Sequence, residues 1–383
     1  MSPSRPLKPT AIVGMACRLP GDVNSPEDFW DLLIDGRDGY SDFPYTRLNI
    51  DAWFGQNATR PGFSLKDDLD SFDNDFFNIS AVEASTMDPA QKKMLEVTYE
   101  ACERAGVSLA QLSGTCTGVY AGNFCPEQCL TGLKDSEFMT AYTATGASTA
   151  MLSNRISYAF DLKGPSLTVG TACASSGCAL HMACSGLRNN DCDAASVCAA
   201  NTIRSVEAQM FVSKLGVLSP TSRCHTFDSR ADGYTRADGA VAFFVKQLSH
   251  AIRAGNPIHA VIRGTEVGAN GSGGSITSPS EDAQIVVIRK AYENAGITDI
   301  QSTSYFECHG TGTPYGDVVE THAVGKIFAP YKTPGEPLHI GSVKPNLGHS
   351  ESASALTTLM RVLLAIEANI IPPTIVFGVS MKR

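Results

Sequence analysis

Short apolar runs rich in β-forming residues alternate with stretches of helical periodicity along the whole chain, which confines it to an α/β architecture. The runs cover residues 10–17, 118–121, 166–169, 195–200, 240–245, 259–263 and 304–308. The first leads into Arg18-Leu-Pro-Gly21, the pattern of a buried strand followed by a turn. Helix signals lie between the runs. Ser25-Pro26-Glu27-Asp28 supplies a cap, a first-turn proline and two acids ahead of Phe29, Trp30, Leu32 and Leu33, with Gly36 beyond the far end. Asp88-Pro89 opens a second helix, in which Met94, Leu95, Tyr99, Ala101, Cys102 and Ala105 recur at helical spacing up to Gly106. That face is assigned to the core. Residues 39–77, by contrast, are aromatic, acidic and broken by Pro and Gly, and read as a long surface excursion.

No fixed-period repeat and no Pro- or Ser-rich linker divides the 383 residues, so one continuous body, or one large duplicated unit, is expected. With 43% apolar and 18% charged residues, disorder and coiled coil are excluded. The net charge of −9 gives no support for binding nucleic acid or an anionic membrane. Twelve cysteines run from Cys17 to Cys308 without a C-x-x-C pair, and the N-terminus lacks a signal-peptide pattern. Reduced thiols in the cytoplasm are therefore expected, with no disulfides. The longest apolar helical candidate, residues 355–366, contains Arg361 and falls far short of the roughly 20 residues a membrane span needs. Sequons at Asn57, Asn78 and Asn270 carry no functional weight in such a setting.

Ser166-Leu-Thr-Val-Gly-Thr-Ala-Cys173-Ala-Ser-Ser-Gly passes from a strand into a small-residue helix, with Cys173 at the junction. A thiol at a helix N-terminus faces unpaired N–H groups and the positive end of the dipole, which favour the thiolate and can stabilise an oxyanion. Two histidines follow strands in Gly-rich turns: Glu307-Cys-His309-Gly-Thr-Gly-Thr313 and Val343-Lys344-Pro-Asn-Leu-Gly-His349-Ser-Glu351. Imidazole exchanges protons or donates hydrogen bonds near neutral pH, and the glycines allow close substrate approach. Each residue alone suits a structural role; the three together suggest a thiol nucleophile with two imidazoles.

These three motifs resemble the active-site motifs of β-ketoacyl synthase domains. Ile12-Val-Gly-Met-Ala-Cys-Arg-Leu-Pro-Gly21, Met87-Asp-Pro, Asn154-Arg-Ile-Ser-Tyr158, Phe227-Asp228 and Ala231-Asp-Gly-Tyr234 extend the resemblance to modular type I polyketide synthases, especially fungal reducing ones. The resemblance implies a thiolase-like duplicated fold in α-β-α-β-α layers, with an N-terminal half of about 8–245 and a C-terminal half of about 246–383. It implies that Cys173 accepts an acyl group from the phosphopantetheine thioester of an acyl carrier, and that His309 and His349 assist malonyl decarboxylation. No metal and no cofactor bound by the chain itself is implied. Lys344 and Glu320 match a supporting ion pair. The implied partners are an acyl carrier, acyltransferase and reducing domains acting in trans, and a second copy of the chain in a homodimer. The Gly268-Ala-Asn-Gly-Ser-Gly-Gly274 stretch lacks phosphate-loop spacing and reads as a mobile loop near the substrate entrance.

The family usually has Asp, Ser and Leu where this chain has Gly170, Ala174 and Gly177, and commonly Ala in place of Cys308. Family domains also continue past the equivalent of Arg383, through a Gly-Phe-Gly-type loop that adds an oxyanion-hole donor and a last strand. The C-terminal half is thus expected to be incomplete, and losing one such donor typically costs about 100- to 1000-fold in rate. The alternative reading is a noncatalytic ketosynthase-like scaffold or relic that binds a carrier or synthase partner. A thiolase or chalcone-synthase-like enzyme is disfavoured by the second histidine, His349.

Overall fold

Strand β1 (Thr10–Arg18) forms where the sequence is continuously apolar, and every residue in it but Arg18 is buried. The computed structural model describes all residues except 1–6, 50–51, 53–58, 67, 133, 135–136, 138, 273, 376–377 and 379–383. The Asn57 sequon, Gly273 and the final residues apart from Gly378 lie outside the described residues. The remaining principal elements follow in chain order. They are α1 (Pro26–Ile34), α2 (Pro89–Arg104), β2 (Thr117–Gly122), α3 (Met151–Ala159), β3 (Ser166–Val169), α4 (Ser175–Asn189) and β4 (Ala194–Asn201). Then come β5 (Gly239–Gln247), β6 (Ala260–Ile262), α5 (Glu281–Ala295), β7 (Tyr305–Glu307), α6 (Gly316–Phe328), β8 (His339–Gly341) and α7 (Ser354–Ala368).

Among the described residues six strands make one sheet in the order β3-β2-β4-β5-β1-β6. β2 is parallel to β3 and β4, while β5 runs antiparallel to both β4 and β1. Its central strands are covered on both faces, so they read as continuous apolar runs rather than as alternation. Phe244 faces Met94, Val97 and Ala101 of α2 and Ile156 of α3. Phe243 faces the opposite core, with Ala179 and Ala183 of α4 and Leu356 and Met360 of α7. Burial of each such phenylalanine stabilises the fold by about 1.5–3 kcal/mol. Gly14 marks the closest approach of helix to sheet, because a Cβ there would lie 1.9 Å from the carbonyl oxygen of Ala101.

Beyond α4 and α7 lies a second sheet of two parallel strands, β7 and β8. α5 and α6 cover it through Val324, Ile327, Phe328, Ile288 and Tyr292, packed with Phe306 of β7. Arg361 of α7 reaches Glu307 of β7 at 2.8 Å and ties the two sheets together. The layers thus run α-β-α-β-α. β6, which falls after residue 246, bonds to β1 of the first sheet.

Both helix starts behave as the sequence signals. Ser25 accepts from Asp28 N–H, and Asp88 accepts from Ala90 N–H at 2.8 Å. Among the described residues of 39–77 there is no strand of more than one bridge, but the segment is not wholly superficial. Phe63 is fully buried and its carbonyl accepts from Asp238 N–H at 2.9 Å, because residues 61–65 thread beneath the segment leading into β5. β8 carries no sequence signal, being three residues long with His339 and Ile340 exposed.

Candidate active site

The turn between β3 and α4 carries Cys173. Ala172 adopts φ +51°, a left-handed conformation uncommon for a residue with a side chain, and the chain reverses sharply into α4. Ser175 secures the reversal: its hydroxyl donates to the Asn123 carbonyl (2.8 Å) and accepts from Thr171 N–H (2.9 Å). Cys173 is thereby held at the N-terminal end of α4.

His309 follows β7. Its turn is fastened by one carboxylate, since Glu320 of α6 accepts from the backbone N–H groups of both His309 (2.6 Å) and Gly310 (2.9 Å). Asp317, one turn earlier on α6, accepts from Gly312 N–H at 3.0 Å and from Phe227 N–H at 2.9 Å. The loop bearing His309 is therefore braced at two points, by the buried Asp317 and the half-buried Glu320.

His349 arrives by a different route. Gly348, at φ +69°, closes the short helix Lys344–Leu347, and a Cβ at that position would lie 2.7 Å from the Phe63 ring. The His349 main chain is stitched to the segment before β5: its N–H donates to the Thr235 carbonyl and its carbonyl accepts from Ala237 N–H, both at 2.9 Å. The Glu351 N–H donates to His349 Nδ1 at 2.9 Å. With Nδ1 an acceptor, the proton of the neutral ring sits on Nε2.

Cys173, His309 and His349 converge, with one donor atom from each within 4.8 Å of the others. The two imidazole rings meet edge to face, centroids 5.3 Å apart. Burial is the main reason that both rings hold well below the usual histidine range. Lys344 adds to it at His309, and the positive charges around His349 act likewise. His309 is solvent-exposed, yet the protein mass around it and the Lys344 charge still disfavour its cation. Both rings are therefore neutral hydrogen-bonding groups at pH 7. A Cys-His-His cluster of this size resembles a cation site, but the Nε2 proton of His349 does not fit ligation at the only nitrogen left free.

Two expectations need correction. The helix N-terminus was expected to favour the Cys173 thiolate. Burial instead pushes the thiol pKa up, with Glu351 adding to the rise; Lys344 and the backbone donors of Cys173 and Ala174 pull downward without reversing it. Lys344 and Glu320 were expected to form an ion pair. Among the described residues Lys344 Nζ, fully buried, has no hydrogen-bond partner, while the two Glu320 oxygens accept from the His309 turn. Lys344 acts through space: burial lowers its pKa, and the carboxylates of Glu320 and Glu307 oppose that.

The sequence reading gave no role to Arg236, Glu127 or Glu351. Arg236 is fully buried and bonds to Glu127 at 2.8 Å and to Glu351 at 3.2 Å. A charge in the motif after His349 was visible, but its partner lies 115 positions away.

Two family descriptions account for nearly the whole chain: Beta-ketoacyl synthase, N-terminal domain, over residues 7–251, and Beta-ketoacyl synthase, C-terminal domain, over residues 259–378. The chain belongs to the β-ketoacyl synthase family. Among its relatives, the highly reducing polyketide synthase srdA of Neurospora crassa is 50% identical over 382 residues, 98% of this chain and 16% of that protein. Prosolanapyrone synthase of Alternaria solani is 47% identical over 96% of this chain and 14% of its own length. The chain thus spans about one sixth of the curated synthases it matches. The solved oxazolomycin ketosynthase domain OzmH KS7 of Streptomyces albus superposes with a TM-score of 0.91 at 35% identity, covering 97% of this chain and 65% of that one. A ketosynthase from module 6 of the bacillaene synthase of Bacillus subtilis gives 0.88 at 34%, covering 97% and 63%. The layered architecture is the thiolase-like ketosynthase fold, with Cys173 and His349 held against the larger sheet and His309 on the smaller.

Proposed function

We propose that this β-ketoacyl synthase chain catalyses decarboxylative Claisen condensation in polyketide biosynthesis, joining a malonyl-thioester extender to an acyl chain on Cys173. The convergence of one thiol and two neutral imidazoles within 4.8 Å carries the reading.

In the first step Cys173 Sγ loses its proton and bonds to the acyl carbon of a carrier-bound thioester. The carbon–sulfur bond to phosphopantetheine breaks, and the departing thiolate takes up a proton. In the second, a malonyl thioester places its carbonyl oxygen against His309 and His349. As the carbon–carbon bond to the carboxylate breaks, carbon dioxide leaves and the electron pair enters an enolate. Neutral imidazole donors stabilise that enolate without themselves carrying charge, and the His349 Nε2–H is oriented for it. The enolate carbon then attacks the Cys173 thioester, the Cys173 carbon–sulfur bond breaks, and the β-ketoacyl chain leaves on the carrier. Lys344 supplies positive potential near the reacting oxygen, and Glu320 keeps the His309 turn in place.

The same reading assigns an acyl carrier as substrate donor, with acyltransferase and reducing functions from other domains. It pairs two copies through β3, an edge strand whose Leu167 is 41% exposed. A cytoplasmic setting suits a free Cys173 thiol. Among the described residues no helix is long and apolar enough to cross a membrane.

The test is intact-mass detection of acyl transfer to the chain from an acyl-thioester donor, beside Cys173→Ala, followed by malonyl decarboxylation by His309→Ala and His349→Ala. An adduct that depends on Cys173, with decarboxylation lost in both histidine variants, is expected. A well-folded chain that takes no acyl group overturns the enzyme reading in favour of a carrier- or partner-binding scaffold.

A further inference from the structure

At the end of the larger sheet away from Cys173, a cleft of about 510 Å³ opens between the short helices Leu109–Leu112 and Leu248–Ala254, where β2 and β4 begin and β5 ends. Its size is within the range of about 300–1000 Å³ that holds small molecules. Thr117, the first residue of β2, lines the cleft, whereas Asn123, just past the last residue of β2, holds the Cys173 turn. Six rises of about 3.3 Å set the two places about 20 Å apart. The cleft is thus separate from the site already described.

An apolar floor meets a cationic rim there. Leu112, Ala194 and the Phe244 ring form the floor, and Lys246, His250 and Arg253 stand around it with a single carboxylate, Asp193. Lys246 leaves β5 on the same face as Phe244, with its Nζ 5.8 Å from the Phe244 ring centroid. One ammonium proton goes to Asn256 Oδ1 at 3.0 Å, and Asn256 Nδ2 donates to the Ala105 carbonyl just past α2 at 2.9 Å. Asn256 therefore serves the helix end, and two ammonium protons of Lys246 remain. Among the described residues Lys246 forms no ion pair, and the side chains of His250, Arg253 and Asp193 have no hydrogen-bond or ion-pair partner. Burial lowers the Lys246 pKa, as expected of a half-buried cation without a counter-charge.

We infer that this cleft binds a small amphiphilic carboxylate, whose anionic end meets the Lys246 ammonium and the Arg253 guanidinium while its hydrocarbon covers Leu112 and Phe244. Lys246 and Arg253 against Asp193 leave a surplus of one positive charge, which matches a monoanion and not a phosphate dianion. His250 adds an imidazole that can hydrogen-bond to the same group. The chain carries a net charge of −9, so no long-range field gathers anions and the attraction has to come from these local groups. A bound carboxylate supplies the counter-charge that Lys246 lacks, and its hydrocarbon removes apolar floor from water. The inference is independent of the condensation chemistry.

The test titrates octanoate into the 383-residue chain by calorimetry, with 1-octanol as the uncharged counterpart. Saturable binding with a Kd on the order of 1 mM is expected for octanoate, and binding about 10-fold weaker for 1-octanol. Lys246→Gln and Arg253→Gln are each expected to weaken octanoate binding about 10-fold, since each removes a charge-assisted hydrogen bond, and Asp193→Asn to tighten it about threefold. Arg253 is exposed, so Arg253→Gln carries the comparison should Lys246→Gln fail to fold. Amide exchange under octanoate locates the site: slowing is expected in residues 248–254 and not in 170–176. No saturable binding, an octanoate affinity unchanged in both cation variants, equal affinity for 1-octanol, or slowing confined to the Cys173 turn overturns the inference.

Discussion

The two sheets of this protein are built to different standards of closure. In the larger one, β4 is buried along its whole length and β5 at every residue but Lys246, with helices on both faces. In the smaller one, β7 and β8 pair over three positions, Ile340 is 40% exposed, and α5 buries only Ala295 while Val286 stands 51% exposed. The candidate site straddles this divide. On the closed side Cys173 is fixed through the Ser175 hydroxyl and His349 by main-chain hydrogen bonds, whereas His309 hangs from the open side by the Glu320 and Asp317 carboxylates. Closure explains where the carboxylate braces fall: where packing is sparse, Glu320 and Asp317 hold the turn that apolar contacts do not.

If that contrast is sound, the same truncation should cost very different amounts on the two sides. Phe244→Ala, 1% exposed, is expected to destabilise by about 3–5 kcal/mol in urea unfolding, against about 0.5 kcal/mol for Val286→Ala. Comparable losses would mean that α5 is held as firmly as the first sheet. The strap between the sheets comes next. Arg361→Ala strands the buried Glu307 carboxylate and should cost about 3 kcal/mol, with faster amide exchange in β7 and β8 than in β4. Unchanged exchange in β7 would show that something other than Arg361 joins the layers.

On the closed side, burial is the main force pushing the Asp88 pKa up to about 6 from 3.8, although the carboxylate caps α2. The folded chain therefore keeps this proton where the unfolded chain has released it. The resulting stability is full below pH 3.8 and is lost as pH rises through about 6. Asp88→Asn caps without charge, so it should flatten stability between pH 4 and 7 and gain on the order of 1–2 kcal/mol at pH 8. A steeper profile in Asp88→Asn would mean that another group sets the slope. The smallest effects belong to two matched caps, Ser25 on α1 and Ser280 on α5, which accept from Asp28 and Ala283 N–H at 3.1 and 3.2 Å. Replacing either by alanine should cost about 1 kcal/mol. Only Ser280→Ala, where packing does not hold the helix, is expected to raise local exchange before global unfolding. Equal local effects at both would erase the contrast at the scale of single helices.

Much of the architecture was legible because local chemistry specifies it. Strands buried on both faces must be apolar throughout, which is why β1, β4 and β5 stand out, and a cap followed by proline marks the start of α1 and α2 whatever surrounds them. β8 was not legible, because three residues, two of them exposed, carry no pattern. Phe63 was misjudged because a loop that dips into the core has the composition of a loop. In the site, Cys173, His309 and His349 could be named from their motifs, since nucleophile and imidazole chemistry depend on residue type and a strand-end setting.

Their working state could not be named that way. The rise in the Cys173 pKa comes from burial, a property of the assembled layers. Lys344 makes no hydrogen bond to Glu320, whose carboxylate instead fastens the two backbone N–H groups of the His309 turn. The tautomer of His349 follows from the Glu351 N–H at its Nδ1, and the Glu351 carboxylate meets Arg236 only once the segment before β5 is laid beside the turn after Gly348. Sequence determined which groups the site contains and which elements carry them. Tertiary structure decided their protonation and direction, because both are set by neighbours far away along the chain and by the exclusion of water that only packing achieves.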